Sequence, residues 1–92
     1  MRRSYVYIVT NKVDTVLYIG VTSNLKKRIE EHIMGRFKGF TLNYNCKKLV
    51  YFEEFSDIRD AIAREKELKN WHREWKINLI KSVNPDFLEL TF

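Results

Sequence analysis

The chain has 92 residues, 45% of them hydrophobic and 32% charged, and its 17 lysines and arginines exceed its 12 acidic residues to give a net charge of +5. This length predicts one domain (residues 1–92), and the composition excludes a disordered chain. The first apolar run is too short for a membrane span or a signal sequence, and the lone Cys46 excludes a disulfide framework. We therefore expect a cytoplasmic protein with no membrane partner.

Basic residues concentrate in one part of the chain. Residues 25–39 carry five lysines and arginines against two glutamates, whereas residues 53–60 carry four acids and one arginine. A surface polarised in this way favours an anionic partner, and nucleic acid is a common one. The basic residues expected to contact nucleic acid are Lys26, Lys27, Arg36 and Lys38.

Six elements are predicted in the order ββαβαα. Alternating aromatic and β-branched residues indicate a strand, as in SYVYIVT, and a capping residue before a helical period indicates a helix, as in Asn24 before LKKRIEEHI. The last helix ends before Asn84-Pro85, because the residue before a proline avoids the α conformation. The predicted strands span residues 4–10, 15–21 and 48–55, and the predicted helices span residues 25–33, 58–70 and about 72–82.

The first two strands each carry a tyrosine between aliphatic residues. A four-residue loop between the strands pairs Thr10 with Thr15, and therefore pairs Tyr7 directly with Tyr18. Any loop with an even number of residues keeps both phenols on one face of the sheet, whereas an odd number sends them to opposite faces. We expect the even register.

Polar residues interrupt the apolar stripe of the first helix. The stripe through Leu25, Ile29 and Ile33 also includes three polar residues, Arg28, His32 and Arg36. Each residue alone suits a structural role, with Arg28 extending to solvent and His32 at the boundary of the core. Because Arg28 and His32 are spaced i, i+4 they point the same way, and together they favour an anion-binding site.

The second helix carries a carboxylate where an aliphatic residue is expected. Its stripe includes Ile58 and Ile62 and then reaches Glu65. A buried carboxylate needs a partner. An ion pair with Arg28 or Lys69 would provide one, and coordination of Mg²⁺ is the functional alternative.

The third helix is predicted to present an apolar face. Trp71, Trp75 and Leu79 are spaced i, i+4, i+8, which predicts packing against the sheet or the second helix. Stacking of a tryptophan on a nucleobase is the alternative. Asn84 suits an Asx-type turn that ends the helix.

Five motifs resemble those of the GIY-YIG nuclease domain. In order they are V-Y-I (6–8), Y-I-G (18–20), N-L-K-K-R-I-x-x-H (24–32), A-I-x-R-E-K (61–66) and N-P (84–85). The Y-I-G motif is intact, whereas only Tyr7 remains of the Gly-Ile-Tyr motif. The resemblance covers Tyr5 to about Leu88, and the run KELKNWHREWKINLI resembles the small stand-alone bacterial members, which are similar to the nuclease domain of the excinuclease C subunit.

The resemblance implies an α+β fold, with a three-stranded antiparallel sheet flanked by three helices, and metal-dependent hydrolysis of DNA phosphodiester bonds. It implies a single Mg²⁺ or Mn²⁺, bound weakly without DNA because one carboxylate is a sparse ligand set. The expected DNA is branched, nicked or partly single-stranded, because a chain of this length has no room for the recognition domains of larger relatives. DNA repair or recombination is the expected pathway, and a monomer or weak dimer is the expected state.

The resemblance also assigns a role to each matching residue. Tyr18 is the general base that acts on water, and Tyr7 positions that water or the scissile phosphate. Arg28 neutralises phosphate charge, and Glu65 holds the metal. A tyrosine acting as a base needs nearby cations to lower its pKa from about 10. The supporting members of the site are His32 and Asn84.

Two other classes of function fit the same residues. A nucleic-acid-binding module could keep this fold without useful activity, which the degenerate first motif favours. A protein-interaction adaptor could use the basic face of the first helix. A carboxylate at Glu65 favours the nuclease, because a module that only binds an anion has no need of it.

Overall fold

The computed structural model describes residues 3–35 and 44–91, which form an α+β fold. Its elements, in the predicted order ββαβαα, are β1 (Ser4–Thr10), β2 (Leu17–Thr22), α1 (Leu25–Ile33), β3 (Lys48–Phe55), α2 (Ile58–Asn70) and α3 (Arg73–Val83). The strands form one antiparallel sheet in the order β2-β1-β3, which confirms the predicted fold. Within the two described ranges, no helix is long and apolar enough to cross a membrane.

Helices cover both faces of the sheet. Alternation along β1 sends Val6 and Ile8 to one face, where they pack against α2 and α3. It sends Tyr7 and Val9 to the opposite face, where they pack against α1. The residues that these helices contribute to the core are Ala61, Leu68 and Ile80 on the first face and Leu25 and Ile29 on the second.

The hairpin register keeps both tyrosines on one face, but the predicted direct pairing of Tyr7 with Tyr18 is wrong. Tyr7 lies opposite Gly20, and Tyr18 lies opposite Val9. The pairing is offset by two residues because the loop spans residues 11–16 instead of 11–14, and the even offset preserves the face. The two phenol ring centroids are 6.4 Å apart.

The loop is longer than predicted because Asn11 binds the backbone of two residues, Thr15 and Val16, that were expected to begin the second strand. Its Oδ1 accepts hydrogen bonds from the backbone N–H groups of Thr15 and Val16, at 2.9 and 3.0 Å. Arg73 donates a further bond to the Thr15 carbonyl at 2.8 Å. Since these groups are satisfied within the loop and by α3, β2 begins at Leu17 and not at Thr15.

Parts of the two predicted helix stripes are exposed. Ile33 is 48% exposed. His32, in contrast, is buried and does not lie at the boundary of the protein core. In α2, Ile58 and Ile62 are also exposed, and the buried positions include Leu68. The core-facing stripes are therefore narrower than predicted.

The predicted packing face of the third helix is wrong at Trp75, which is 54% exposed. Trp71 lies at the end of α2, before α3 begins at Arg73, and both Trp71 and Leu79 are partly buried against the core. Because α3 turns Ile80 toward the sheet, Trp75 is left at the surface, edge-on to Trp71 with the ring centroids 6.0 Å apart.

The chain that follows α3 packs back on the third strand. Phe87 is buried in the core. The backbone N–H of Leu90 donates to the carbonyl of Leu49 at 2.8 Å. These contacts satisfy part of the outer edge of β3.

Candidate active site

Tyr7 and His32 form the buried centre of the candidate site. The Tyr7 hydroxyl and His32 Nε2 are 3.0 Å apart and share a hydrogen bond. Burial raises the pKa of Tyr7 to about 12, although the Arg28 guanidinium beside the phenol opposes the shift. Burial and the charge of Arg28 lower the pKa of His32 to about 4. Both groups are therefore neutral at pH 7, and their hydrogen bond joins a phenol to an imidazole.

Gly20 provides the space that the Tyr7 ring occupies. A Cβ atom at residue 20 would lie 2.4 Å from the Tyr7 hydroxyl oxygen and 2.5 Å from Cζ. Tyr7 is fully buried and lies directly across the hairpin from this glycine. The glycine of the Y-I-G motif thus allows the buried phenol to cross the second strand and reach His32.

Tyr18 lies beside this pair at the open edge of the sheet. Its ring centroid is 6.4 Å from that of Tyr7 and 5.7 Å from that of His32. Unlike Tyr7, Tyr18 is only partly buried, and it lines a cavity of about 330 Å³ together with Lys69 and Lys76. Of the two phenols, Tyr18 is therefore the more accessible.

Arg28 lies between the Tyr7 phenol and a cavity with basic side chains at the start of α1. It acts on the Tyr7 phenol through its charge and a hydrogen bond, and its Nε lies 3.6 Å from Glu31 Oε1. With Lys27 and Glu31 it lines a cavity of about 210 Å³. Asn24 caps the helix at this cavity by accepting a hydrogen bond from the Lys27 backbone N–H at 3.1 Å. An anion here would meet both basic side chains.

Glu65, on α2, lies near the phenol of Tyr7. Its side chain is 17% exposed, and Lys69 Nζ lies 3.5 Å from its Oε2, which is one of the two ion pairs predicted for it. Its negative charge adds to the rise in the pKa of Tyr7, behind burial and Tyr18. Since Lys69 is half-exposed and the ion pair is long, the carboxylate is available to another cation.

The side chains suit a divalent ion only when other oxygen ligands are supplied. Among the residues that the structure describes, no three His, Cys, Asp or Glu side chains come together as a metal-ligand group. Mg²⁺ usually binds through one or two carboxylates and substrate phosphates and keeps several waters. Glu65 fits that pattern as the protein's contribution.

The side chain of Asn84 forms hydrogen bonds with nearby backbone groups. Its Nδ2 donates to the carbonyls of Val50 and Leu88, both at 2.9 Å, and its Oδ1 accepts from the Leu88 N–H at 3.0 Å. Val50 belongs to the core on the face opposite Tyr7. Asn84 therefore ties the end of α3 to β3, and its supporting role in catalysis remains a prediction.

The predicted DNA-binding lysines and arginines are only partly described. Lys26 and Lys27 are exposed on α1, beside Arg28. The other two, Arg36 and Lys38, lie outside the described residues. The sequence did not predict that Gly20 makes space for the Tyr7 ring, because the predicted register places Tyr18, and not Gly20, opposite Tyr7. It also did not predict that Lys76 lines the cavity beside Tyr18.

Comparison with known proteins identifies the family. The model of the GIY-YIG catalytic domain matches residues 3–78, so the chain belongs to the GIY-YIG family, as the five motifs indicate. This is a nuclease family, and membership supports endonuclease activity in general.

The relatives are small stand-alone proteins named UPF0213. The chain is 44% identical over 79 residues to a UPF0213 protein of Clostridium perfringens, covering 86% of this chain and 84% of the relative. It is 36% identical to one of Syntrophus aciditrophicus, covering 94% and 98%. The solution NMR structure of a UPF0213 protein from Bacillus halodurans matches with a TM-score of 0.60 and 27% identity, over 92% of this chain and 89% of that one.

Proposed function

We propose that this protein is a divalent-metal-dependent endonuclease that hydrolyses DNA phosphodiester bonds. The observation that supports this most is the clustering of three rings, those of Tyr7, Tyr18 and His32, beside the guanidinium of Arg28. Packing of the core alone does not require a buried, neutral Tyr7–His32 pair beside the more accessible Tyr18 and the cation of Arg28. The cluster provides a proton acceptor and an anion-binding group in one place.

The two phenols take different roles. Tyr7 remains protonated because its pKa is near 12. Since it is fully buried and hydrogen-bonded to His32, it positions the attacking water or the phosphate through the groups beside it and not by direct contact. His32 holds the Tyr7 ring in place through the 3.0 Å contact and acts as a positioning residue. Tyr18 is the general base, since it is the more accessible of the two phenols.

Charge on the phosphate is met from two sides. Arg28 lies on α1, where its guanidinium forms hydrogen bonds suited to phosphate oxygens. Glu65 on α2 holds the metal, a single Mg²⁺ or Mn²⁺ bound weakly without DNA. When bound, such an ion stabilises negative charge on the phosphate and the leaving oxygen as a Lewis acid.

The substrate is DNA with a branch, a nick or an unpaired region, approached by the exposed lysines Lys26 and Lys27 of α1. We further propose a role in DNA repair or recombination in the cytoplasm, as a monomer or a weak dimer.

One observation favours a second candidate, a nucleic-acid-binding module without useful activity. Of the Gly-Ile-Tyr motif only Tyr7 remains, since Tyr5 and Val6 occupy the first two positions. Such a module keeps the basic face of α1 and does not depend on Glu65. Cleavage assays on Glu65 variants therefore separate the two candidates.

The test measures nicking of supercoiled plasmid and of a branched oligonucleotide by the purified protein, with Mg²⁺, Mn²⁺ or a chelator. Wild type should nick DNA only with metal, and Glu65→Gln should be slower by at least about a hundredfold. Glu67→Gln is the matched control, because it removes the same charge from a more exposed glutamate of α2. Metal-independent nicking, or equal loss in both variants, would contradict the proposal.

A further inference from the structure

Two cavities adjoin at the N-terminus of α1. One, of about 420 Å³, is lined by Tyr5, Phe52, Leu25, Lys26 and Glu54, and is called here the aromatic cavity. The other, of about 210 Å³, is lined by Lys27, Arg28 and Glu31 and is called the arginine cavity. Ser23 and Asn24 line both. A single extended ligand can therefore occupy the two together.

The aromatic cavity lies on the catalytic face of the sheet. Phe52 is paired with Tyr7 across β1 and β3, and Tyr5 is paired with Thr22, which lines the arginine cavity. Because paired residues in adjacent strands point to the same face, Phe52 and Tyr5 are on the side of the sheet that carries the two site tyrosines. The aromatic cavity is thus one strand away from the proposed chemistry.

The two aromatic rings are accessible and held in place. Phe52 is 36% exposed, and its ring meets that of Tyr5 edge-on, with centroids 6.3 Å apart and planes at 70°. The nearby carboxylate of Glu54 is paired with Arg3 at 3.2 Å, which partly compensates its charge. Lys26 adds a cation at the rim. An apolar cavity with aromatic walls beside a cationic one matches a nucleobase joined to a phosphate.

We propose that the aromatic cavity receives one unstacked base of the DNA while a neighbouring phosphate lies in the arginine cavity. This deepens the proposed function and rests on it for the nature of the polymer. A base inside a regular duplex is stacked on both sides and is not available to Tyr5 and Phe52. The substrate class is therefore DNA with an unpaired nucleotide beside the cleaved bond, such as a bulge, a flap or a single-stranded end.

Binding in the presence of a chelator tests this without cleavage. Two duplexes of the same length are compared, one fully paired and one with a single bulged 2-aminopurine, whose fluorescence reports stacking. Wild type should bind the bulged duplex about tenfold more tightly and quench its fluorescence. Phe52→Leu, which keeps an apolar side chain and removes the aromatic face, should lose the preference and the quenching while still binding paired DNA.

Two further variants make the result interpretable. Trp75→Leu removes an aromatic side chain that is more exposed and lies on α3, across the sheet, and it should keep the preference. Tyr5→Leu provides a second test of the cavity if circular dichroism shows that Phe52→Leu is unfolded. Equal binding of bulged and paired DNA by wild type overturns the inference, as does an unchanged preference in a folded cavity variant.

The two proposals fail in different ways. Metal-dependent cleavage by wild type without a preference for the bulged duplex overturns the base-binding inference alone. A preference that is lost in Phe52→Leu, in a protein that does not cleave DNA, supports the inference and overturns the proposed catalysis.

Discussion

Gly20→Ala should destabilise the protein because the added Cβ atom would collide with the Tyr7 ring. The added Cβ would lie 2.4 Å from the Tyr7 hydroxyl oxygen, 2.5 Å from Cζ and 2.8 Å from Cε1, closer than real Cβ contacts come. Tyr7 is fully buried, and a close-packed core relaxes little when volume is added. The backbone at Gly20 is in a β-strand and not in the left-handed region, so the penalty is steric.

The expected loss follows from overpacking and from the hydrogen bond that the displaced ring would break. Forcing extra volume into a packed core lowers the free energy of unfolding by about 1–3 kcal/mol, and a lost hydrogen bond adds about 1 kcal/mol. The bond at stake is the one between Tyr7 and His32. A total of about 2–4 kcal/mol lowers the melting temperature of a domain of this size by roughly 10–20 °C. Urea unfolding and thermal circular dichroism measure both.

Variants at Tyr7 provide the control. Tyr7→Leu removes the ring atoms that the new Cβ would meet, so Gly20→Ala should cost less than about 0.5 kcal/mol in that background. Tyr7→Phe keeps Cζ and Cε1 and should leave the penalty largely in place. If Gly20→Ala is neutral in wild type, or equally harmful in the Tyr7→Leu background, then Gly20 does not serve to accommodate the ring.

Two further predictions concern buried polar groups. The pKa of His32 is about 4 in the folded state and about 6.5 in the unfolded chain, so between these pH values the unfolded state binds more protons and stability rises with pH, by roughly 3 kcal/mol over the window. His32→Gln should lose this rise in urea titrations from pH 4 to 7, and equal pH slopes in both proteins would argue against a lowered pKa. Asn84→Ala should lower the free energy of unfolding by about 2–4 kcal/mol, because it leaves the buried Val50 carbonyl and the Leu88 groups without their partner. Asn84→Asp keeps the acceptor for the Leu88 N–H but loses both donated bonds, so it should recover little; a loss below about 1 kcal/mol in either variant would mean that the carboxamide does not anchor α3.

The element types could be predicted because they depend on local pattern. β1 and β3 have the predicted bounds, and α1 begins after the predicted capping residue Asn24. Asp57 accepts a hydrogen bond from the Arg59 N–H at the start of α2, as its capping role requires. Strand alternation, helical period and caps act over a few residues and are visible in the chain itself.

The errors arose where contacts distant in sequence decide the outcome. The strand that follows the first loop begins late because Arg73, far along the chain, helps to hold the Thr15 carbonyl. Trp75 is exposed because the packing of α3 is led by Ile80, and helical spacing alone does not reveal which side faces the sheet. Ile33 is exposed for the same reason on α1.

The sequence by itself determined the order of elements and the parity of the hairpin, and its GIY-YIG motifs suggest the candidate site residues. An even loop length is enough to place Tyr7 and Tyr18 on one face. Only the tertiary structure decided how the two phenols differ. Tyr7 is enclosed against His32 and stays neutral, whereas Tyr18 is left at an open edge, because burial depends on what packs from other parts of the chain.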